Sequence, residues 1–412
     1  MGKKLKHHSL IDKVYKRLNL CIAFEKVRAN KGAGGIDKVS LEEFERNIDL
    51  NLEEIHRLLY EDRYQPQPVK RVYIPKPNGD KRPLGIPTIR DRVVQQALVN
   101  RIGKIFEAKF MNCSFGFRPN RSALGAIQKV EEYFKEGYQW VVEVDIKSFF
   151  DTVRHEKLID LVAEEIADGR VLRLIRSFLK SGVMDEMEIK YQTTGTPQGG
   201  VISPLLANIY LHPYDEKMTA EGYKVVRYAD DVIILCRKKQ EAERALERTK
   251  QILQTELGLA LSVEKTRIVH KSQPFEFLGY LFGRGYSDYK VPRKRAIDNF
   301  RDKVRRITRR QQPKSLEQVI SELNPVIRGW RNYFCHGDCK RIFWDLDCWI
   351  GDRLKAFRVK RWRTRLKMPH EMLEELGLTT LNKTFYPNYN NLLPAKGQRY
   401  RKAVYGKSVR TV

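Results

Sequence analysis

Two adjacent carboxylates, Asp230 and Asp231, follow Tyr228-Ala229 between Lys224-Val225-Val226-Arg227 and Val232-Ile233-Ile234-Leu235. Two β-branched runs around so short a break predict a β-hairpin with acids at its tip. Aspartates are also ordinary turn formers, so the pair alone specifies no chemistry. A third acid changes that. Asp145 ends Trp140-Val141-Val142-Glu143-Val144, a further strand pattern. Three carboxylates on neighbouring strand ends form a ligand set for two Mg2+ ions roughly 3.5–4 Å apart, which drives in-line phosphoryl transfer.

The residues after Asp145 fit a substrate floor. Phe149 and Phe150 follow within about one turn, and the pattern predicts one ring in the core and one under an incoming sugar, where its bulk would exclude a 2′-hydroxyl. Between the acid-bearing strands lies Thr194-Gly195-Thr196-Pro197-Gln198-Gly199-Gly200-Val201-Ile202-Ser203-Pro204, leading into a helix over 205–211. Its glycines let backbone approach a ligand closely, and Gln198 could touch a base or sugar edge.

The positioning elements follow from periodicity and turn chemistry. Residues 1 to about 65 read as mostly helical, broken by the glycine-rich stretch Asn30–Asp37. Residues 68–75 and 81–86 alternate around Lys76-Pro77-Asn78-Gly79-Asp80, a hairpin signal. Helix patterns cover about 89–109, 121–136, 155–181 and 240–257, with strands near 139–145, 224–228 and 232–236. Antiparallel strands mixed with helices, without βαβ alternation, predict an α+β fold. Leu316, Val319, Ile320, Leu323, Ile327 and Trp330 form a helical stripe that Pro325 interrupts.

At 412 residues the chain can form two or three domains. Its 78 Lys and Arg against 51 Asp and Glu give a net charge of +27, which calls for a polyanionic partner. Nucleic acid is the first candidate. A membrane is disfavoured, because no apolar run reaches about 18 residues. The charge is uneven: 23 basic against 8 acidic residues lie between Lys290 and Lys367. With Trp330, Tyr333, Trp344, Trp349 and Trp362 nearby, that region reads as a helical nucleic-acid clamp. The six scattered cysteines suit a reducing cytoplasm. Cys335, Cys339 and Cys348 lack the paired spacing of a zinc site and read as core thiols.

In order along the chain, these segments resemble a reverse transcriptase, and within that family a compact, class C-like group II intron-encoded protein. Gly32–Asp37 resembles the motif that distinguishes non-retroviral members. Ile74–Pro77 through Arg82–Thr88 resembles the fingers hairpin, followed by Asp91-Arg92 and Gln95-Gln96, and Phe115–Ser122 resembles the next motif. The Asp145 stretch, the Pro197-Gln198-Gly199 loop and Tyr228-Ala229-Asp230-Asp231 resemble the three palm motifs. Phe277-Leu278-Gly279-Tyr280 resembles the primer grip, and Arg328–Phe334 the thumb, or maturase domain X.

The resemblance implies a right-hand polymerase: fingers and palm built on an antiparallel sheet plus helices, then an all-α thumb. The expected domains are 1–110 (N-terminal extension and fingers), 111–285 (palm with an interleaved fingers segment), 286–367 (thumb) and 368–412 (tail). Asp145, Asp230 and Asp231 would be catalytic and would hold two Mg2+ ions with the Ile146 carbonyl. Lys76, Arg82, Phe150, Gln198 and Lys265 would bind nucleotide, with Phe150 as sugar gate and Lys265 matching a proposed acid to pyrophosphate. Arg118, Gly199, Tyr228, Phe277, Leu278 and Gly279 would contact template or primer. Implied partners are an RNA template (the protein's own intron RNA), a DNA primer or target and dNTPs.

No further CxxC pair or His-Asn-His nuclease pattern follows the basic helices, so a C-terminal DNA endonuclease is not expected. Three other readings compete. One is a domesticated relative with a CRISPR-associated, retron, diversity-generating or defence role. Ser203-Pro204 and Arg328–Phe334 argue against its diversity-generating and retron forms. The intact acids argue against a splicing-only maturase, and Phe150 argues against an RNA-templated RNA polymerase. The residues do not specify which intron is served, or an oligomeric state.

Overall fold

The computed structural model describes residues 6–75, 81–185, 188–190, 195, 199–284, 288–359, 373 and 375–382. The chain divides into two units, Met1–Lys271 and Ser272–Val412. Lys76, Gln198 and Trp362 lie outside the described residues, as does most of the C-terminal tail.

The first unit opens with helices α1 (Ile11–Tyr15), α2 (Arg17–Asn30), α3 (Leu41–Arg46) and α4 (Ile48–Tyr60). Strands β1 (Val69–Pro75) and β2 (Lys81–Ile86) pair antiparallel, and α5 (Ile89–Glu107) and α6 (Ala123–Lys135) follow. Ser40, Thr88 and Ser122 start α3, α5 and α6 by accepting from amides of the first turn, the ordinary N-cap bond.

Strand β3 (Trp140–Asp145) runs into a short turn of helix α7 (Phe149–Thr152), then α8 (His155–Ala163) and α9 (Gly169–Lys180). The sequence pattern predicts one helix over 155–181, but Asp168 divides it. One carboxylate oxygen of Asp168 accepts from the amides of Arg170 and Val171, and the other from those of Leu10 and Ile11. A single aspartate therefore caps α1 and α9 together, which a periodicity argument along one segment does not anticipate.

Strands β4 (Val183–Asp185) and β5 (Glu188–Lys190) extend the β1–β2 pair into a sheet ordered β2-β1-β4-β5. Helix α10 (Ser203–Ala220) reaches well beyond the expected 205–211 and passes through Pro213. Strands β6 (Lys224–Tyr228) and β7 (Asp231–Cys236) and helix α11 (Lys239–Lys250) follow. The last turn, Gln251–Glu256, is π-helical, and β8 (Arg267–His270) closes the unit.

The central sheet is ordered β6-β7-β3-β8, all antiparallel. Val232 to Cys236 are buried without alternation. That run of apolar residues follows from cover on both faces of a central strand. One face, with Val232, Ile234 and Cys236, packs into a core that includes Leu206, Tyr210 and Tyr214 of α10 and Ala242 and Ala245 of α11. Among the described residues no helix is long and apolar enough to cross a membrane.

The second unit begins with a three-stranded sheet, β11-β10-β9, from β9 (Phe275–Phe277), β10 (Tyr280–Arg284) and β11 (Asp288–Pro292). Three helices follow, α12 (Lys294–Ile307), α13 (Leu316–Phe334) and α14 (Lys340–Val359). A capping box of Ser315 and Gln318 starts α13, which continues through Pro325 and buries Val319, Ile320, Leu323 and Ile327. The aromatics assigned to a clamp are largely used for packing. Trp330 stacks on Phe300 at 4.7 Å and packs against Phe334 and Phe343. Trp349 lies under the guanidinium groups of Arg301 and Arg305.

Candidate active site

Asp145 and Asp231 are register partners in the antiparallel β3–β7 pair. The Asp145 carbonyl accepts from the Ser262 amide, and the Lys147 amide donates to the Ala260 carbonyl, both on the far side of β3 from β7. Since successive residues of a strand point their backbone groups to opposite sides, Asp145 and Asp231 form a non-hydrogen-bonded pair. Side chains at such pairs share a face and approach most closely. By the same alternation the Ile146 carbonyl points toward the β7 side.

Tyr228 and Asp231 close the β6–β7 hairpin, which leaves Ala229 and Asp230 as a two-residue turn. The turn is unusual because Ala229 has φ +58°, the left-handed region that glycine or asparagine usually fills. Gly116 explains part of this geometry. A Cβ on Gly116 would lie 2.3 Å from the Ala229 amide nitrogen, so only glycine admits the turn at this depth.

Among the described residues, no three acidic, His or Cys side chains are drawn together tightly enough to chelate an ion as they stand. What the three aspartates share is one sheet end, with hard oxygen donors on adjacent backbone positions. That donor chemistry fits a divalent cation bound through carboxylates. Lys265 supplies a positive charge beside them, its Nζ 3.3 and 3.4 Å from the Asp145 oxygens. Its side chain is mostly exposed, so this ion pair adds little to stability.

The two phenylalanines differ in burial. Phe149 is 2% exposed and packs edge-on against Tyr210, whereas Phe150 is half-buried against Phe149. Behind them, His155 Nε2 lies 2.6 Å from the Gly195 carbonyl, tying the α7–α8 junction to the glycine-rich loop. Gly199 approaches β2 so closely that a Cβ would lie 2.3 Å from the Gly85 carbonyl oxygen. Arg82 lies on β2 as the register partner of Ile74.

Arg118 is placed differently from the expected template contact. Its side chain is 4% exposed, and its guanidinium donates to Glu107 and to the carbonyls of Phe110, Met111 and Ser114. This arginine braces its own loop. The neighbouring Phe117 is 52% exposed, and its ring centroid lies 6.4 Å from that of Tyr228.

Phe277, Leu278 and Gly279 fall in the second unit. Leu278 and Gly279, with φ +46° and +84°, make the turn between β9 and β10, and positive φ at both central positions matches the right-handed strand twist. Phe277 is buried, whereas Leu278 and Gly279 are half-buried. Tyr333 Oη donates to the Leu278 carbonyl and fixes that turn.

Sequence reasoning missed Arg227, which it treated as one residue of a strand run. Arg227 is fully buried, and all five of its N–H donors are engaged. Nε and Nη2 reach Asp215, Nη1 reaches Asn208 and the Ala229 carbonyl, and Nη2 also reaches Ser114. The available signal was a charge inside a strand covered on both faces, which demands a buried partner.

The family described as reverse transcriptase (RNA-dependent DNA polymerase) matches residues 74–282. The group II intron, maturase-specific domain matches residues 297–372. Protein YkfC of Escherichia coli (strain K12) is 35% identical, covering 63% of this chain and 79% of its own. The group II intron-encoded protein LtrA of Lactococcus lactis subsp. cremoris is 34% identical, covering 63% of this chain and 54% of its own. The chain thus spans about half the length of LtrA. A solved structure described as a partial Cas6-RT-Cas1–Cas2 complex has a TM-score of 0.39 at 24% identity, covering 60% of this chain and 43% of that one.

Proposed function

Since this chain belongs to the reverse transcriptase family and carries a group II intron maturase-specific domain behind it, we propose that it copies group II intron RNA into cDNA and binds that RNA to assist splicing and retrohoming. Enzymes of this family depend on divalent metal and act on nucleic acid. The observation that carries the proposal is the Asp145–Asp231 register pair with Asp230 in the adjoining turn.

In this reading Asp145, Asp230, Asp231 and the Ile146 carbonyl hold two Mg2+ ions. When bound, such ions lower the pKa of a primer 3′-hydroxyl and neutralise charge on the departing pyrophosphate. The hydroxyl oxygen bonds to the α-phosphorus of a dNTP as the bond to pyrophosphate breaks. Lys76 and Arg82 would bind the triphosphate as fixed cations, which suits charge that grows during transfer. Phe150 would close the space for a 2′-hydroxyl, with Gln198 beside the base or sugar. Lys265, already beside Asp145, would deliver a proton to pyrophosphate. Tyr228, Gly199 and the Leu278-Gly279 turn would guide template and primer. The basic helices of the second unit would hold the intron RNA.

The test is primer extension on an RNA template with Mg2+ and dNTPs. Asp230→Ala should abolish extension and leave RNA binding intact. An Asp230→Ala protein that still extends the primer would overturn the mechanism.

A further inference from the structure

We propose that Arg227, with Asp215 as its counter-charge, is a positioning residue for the aspartate-bearing turn. It rests on the reading of Asp230 as a catalytic carboxylate. The Ala229 carbonyl belongs to the peptide that leads directly into Asp230, and Arg227 Nη1 holds that oxygen at 2.9 Å. The same guanidinium is fixed by α10 through Asp215 and Asn208, and by the segment before Gly116 through Ser114. Asn208 in turn donates to the Gly116 carbonyl at 2.8 Å, and Gly116 presses on the Ala229 amide. The turn is thus gripped on both peptide groups that flank Ala229, by a hydrogen bond at one and by close packing at the other.

A purely structural account explains this network less well. Replacing a buried ion pair by apolar residues of similar size is often neutral or stabilising, so burying Arg227 is a poor route to stability. Left-handed Ala229 adds backbone strain, which persists only where the surroundings over-determine it. A guanidinium is suited to such a role because its rigid planar fork presents five donors in fixed directions.

The test separates positioning from folding. Arg227→Met combined with Asp215→Leu removes both charges; the acceptors left on Asn208, Ser114 and Ala229 lower the melting temperature, but the full chain should stay folded and bind RNA normally. Exchange of the amides in 229–232 should accelerate about tenfold, the size of one lost hydrogen bond. Mn2+ affinity, measured by calorimetry without nucleotide, should fall by a similar factor, and kcat should drop with KM for dNTP unchanged. A folded double variant with parent amide exchange and Mn2+ affinity would overturn the proposal. Should that variant not fold, Arg227→Lys keeps the charge paired but cannot supply the fork, and the same two readouts decide. If Asp230→Ala leaves Mn2+ affinity and extension untouched, the reading of the site fails, which these readouts distinguish from failure of Arg227 alone.

Discussion

Asp145 and Asp231 face one another as a non-hydrogen-bonded pair across β3 and β7, so two carboxylates of like charge share the closest register position that an antiparallel sheet offers. Like charges directly opposite destabilise a sheet, and exposed Lys265 offsets only part of that cost. Asp145→Asn should therefore melt at or slightly above the parent temperature, by at most about 1 kcal/mol, while primer extension is lost. Thermal melts and extension assays on the same preparation check both signs. A variant that loses activity by unfolding would instead make Asp145 a structural residue.

The unequal burial of the two phenylalanines separates their roles. Phe149→Ala should cost about 3–5 kcal/mol of stability, because that ring is enclosed. Phe150→Ala should cost far less and should instead raise incorporation of ribonucleotides relative to deoxynucleotides by roughly tenfold or more. Competing rNTP and dNTP in single-nucleotide extension measures the ratio. An unchanged ratio would remove Phe150 as the sugar gate.

Much of the sheet and the acidic hairpin was legible because the information is local. Val225-Val226 and Val232–Ile234 are β-branched runs around a short break, and that pattern predicts a hairpin with the acids at its tip, where the structure has Asp230 in the turn and Asp231 opening β7. The helical stripe from Leu316 to Trp330 was equally plain. What stayed hidden depends on partners distant in the chain. Asp168 gives one oxygen to each of two helices more than 150 residues apart. Arg118 is the exception: it carries the same charge as a nucleic-acid contact, yet the local residues Glu107, Phe110, Met111 and Ser114 enclose its guanidinium. Arg227 looks like strand filler until Asp215, Asn208 and Ser114 surround it.

Asp347 should make the second unit pH-sensitive. Asp347 is 3% exposed, and its carboxylate accepts from the amides of Leu381 and Asn382 and from Asn382 Nδ2. Desolvation pushes its pKa up to about 6, against those three donors, which pull it down. A carboxyl group raised in the folded state contributes stability that is full below its ordinary value of 3.8 and is lost as pH rises through about 6. The second unit should thus be more stable at pH 5 than at pH 7.5, by an amount on the order of 1 kcal/mol. Asp347→Asn should flatten that dependence. Melts of the parent and variant at the two pH values, followed by tryptophan fluorescence, check the sign.

Gly116 tests how tightly the acidic turn is held. A methyl group added there meets backbone, the Ala229 amide nitrogen at 2.3 Å, with no flexible side chain able to move aside. Either the turn or the segment carrying Phe115 and Phe117 must shift, at a cost typical of overpacking, about 1–3 kcal/mol. The strands cannot easily absorb it, since Phe115 and Arg227 are joined backbone to backbone at 2.8 Å. The displacement should therefore fall on Ala229 and Asp230. Gly116→Ala is expected to lower kcat for primer extension by more than its modest loss of melting temperature accounts for, with RNA affinity preserved. Gly137→Ala serves as the control, because a Cβ there meets nothing within 4 Å. Unlike Gly116, that position has positive φ, so its alanine variant carries a backbone penalty without the collision. Equal losses of kcat in the two variants would show that distortion of the acidic turn is not the cause.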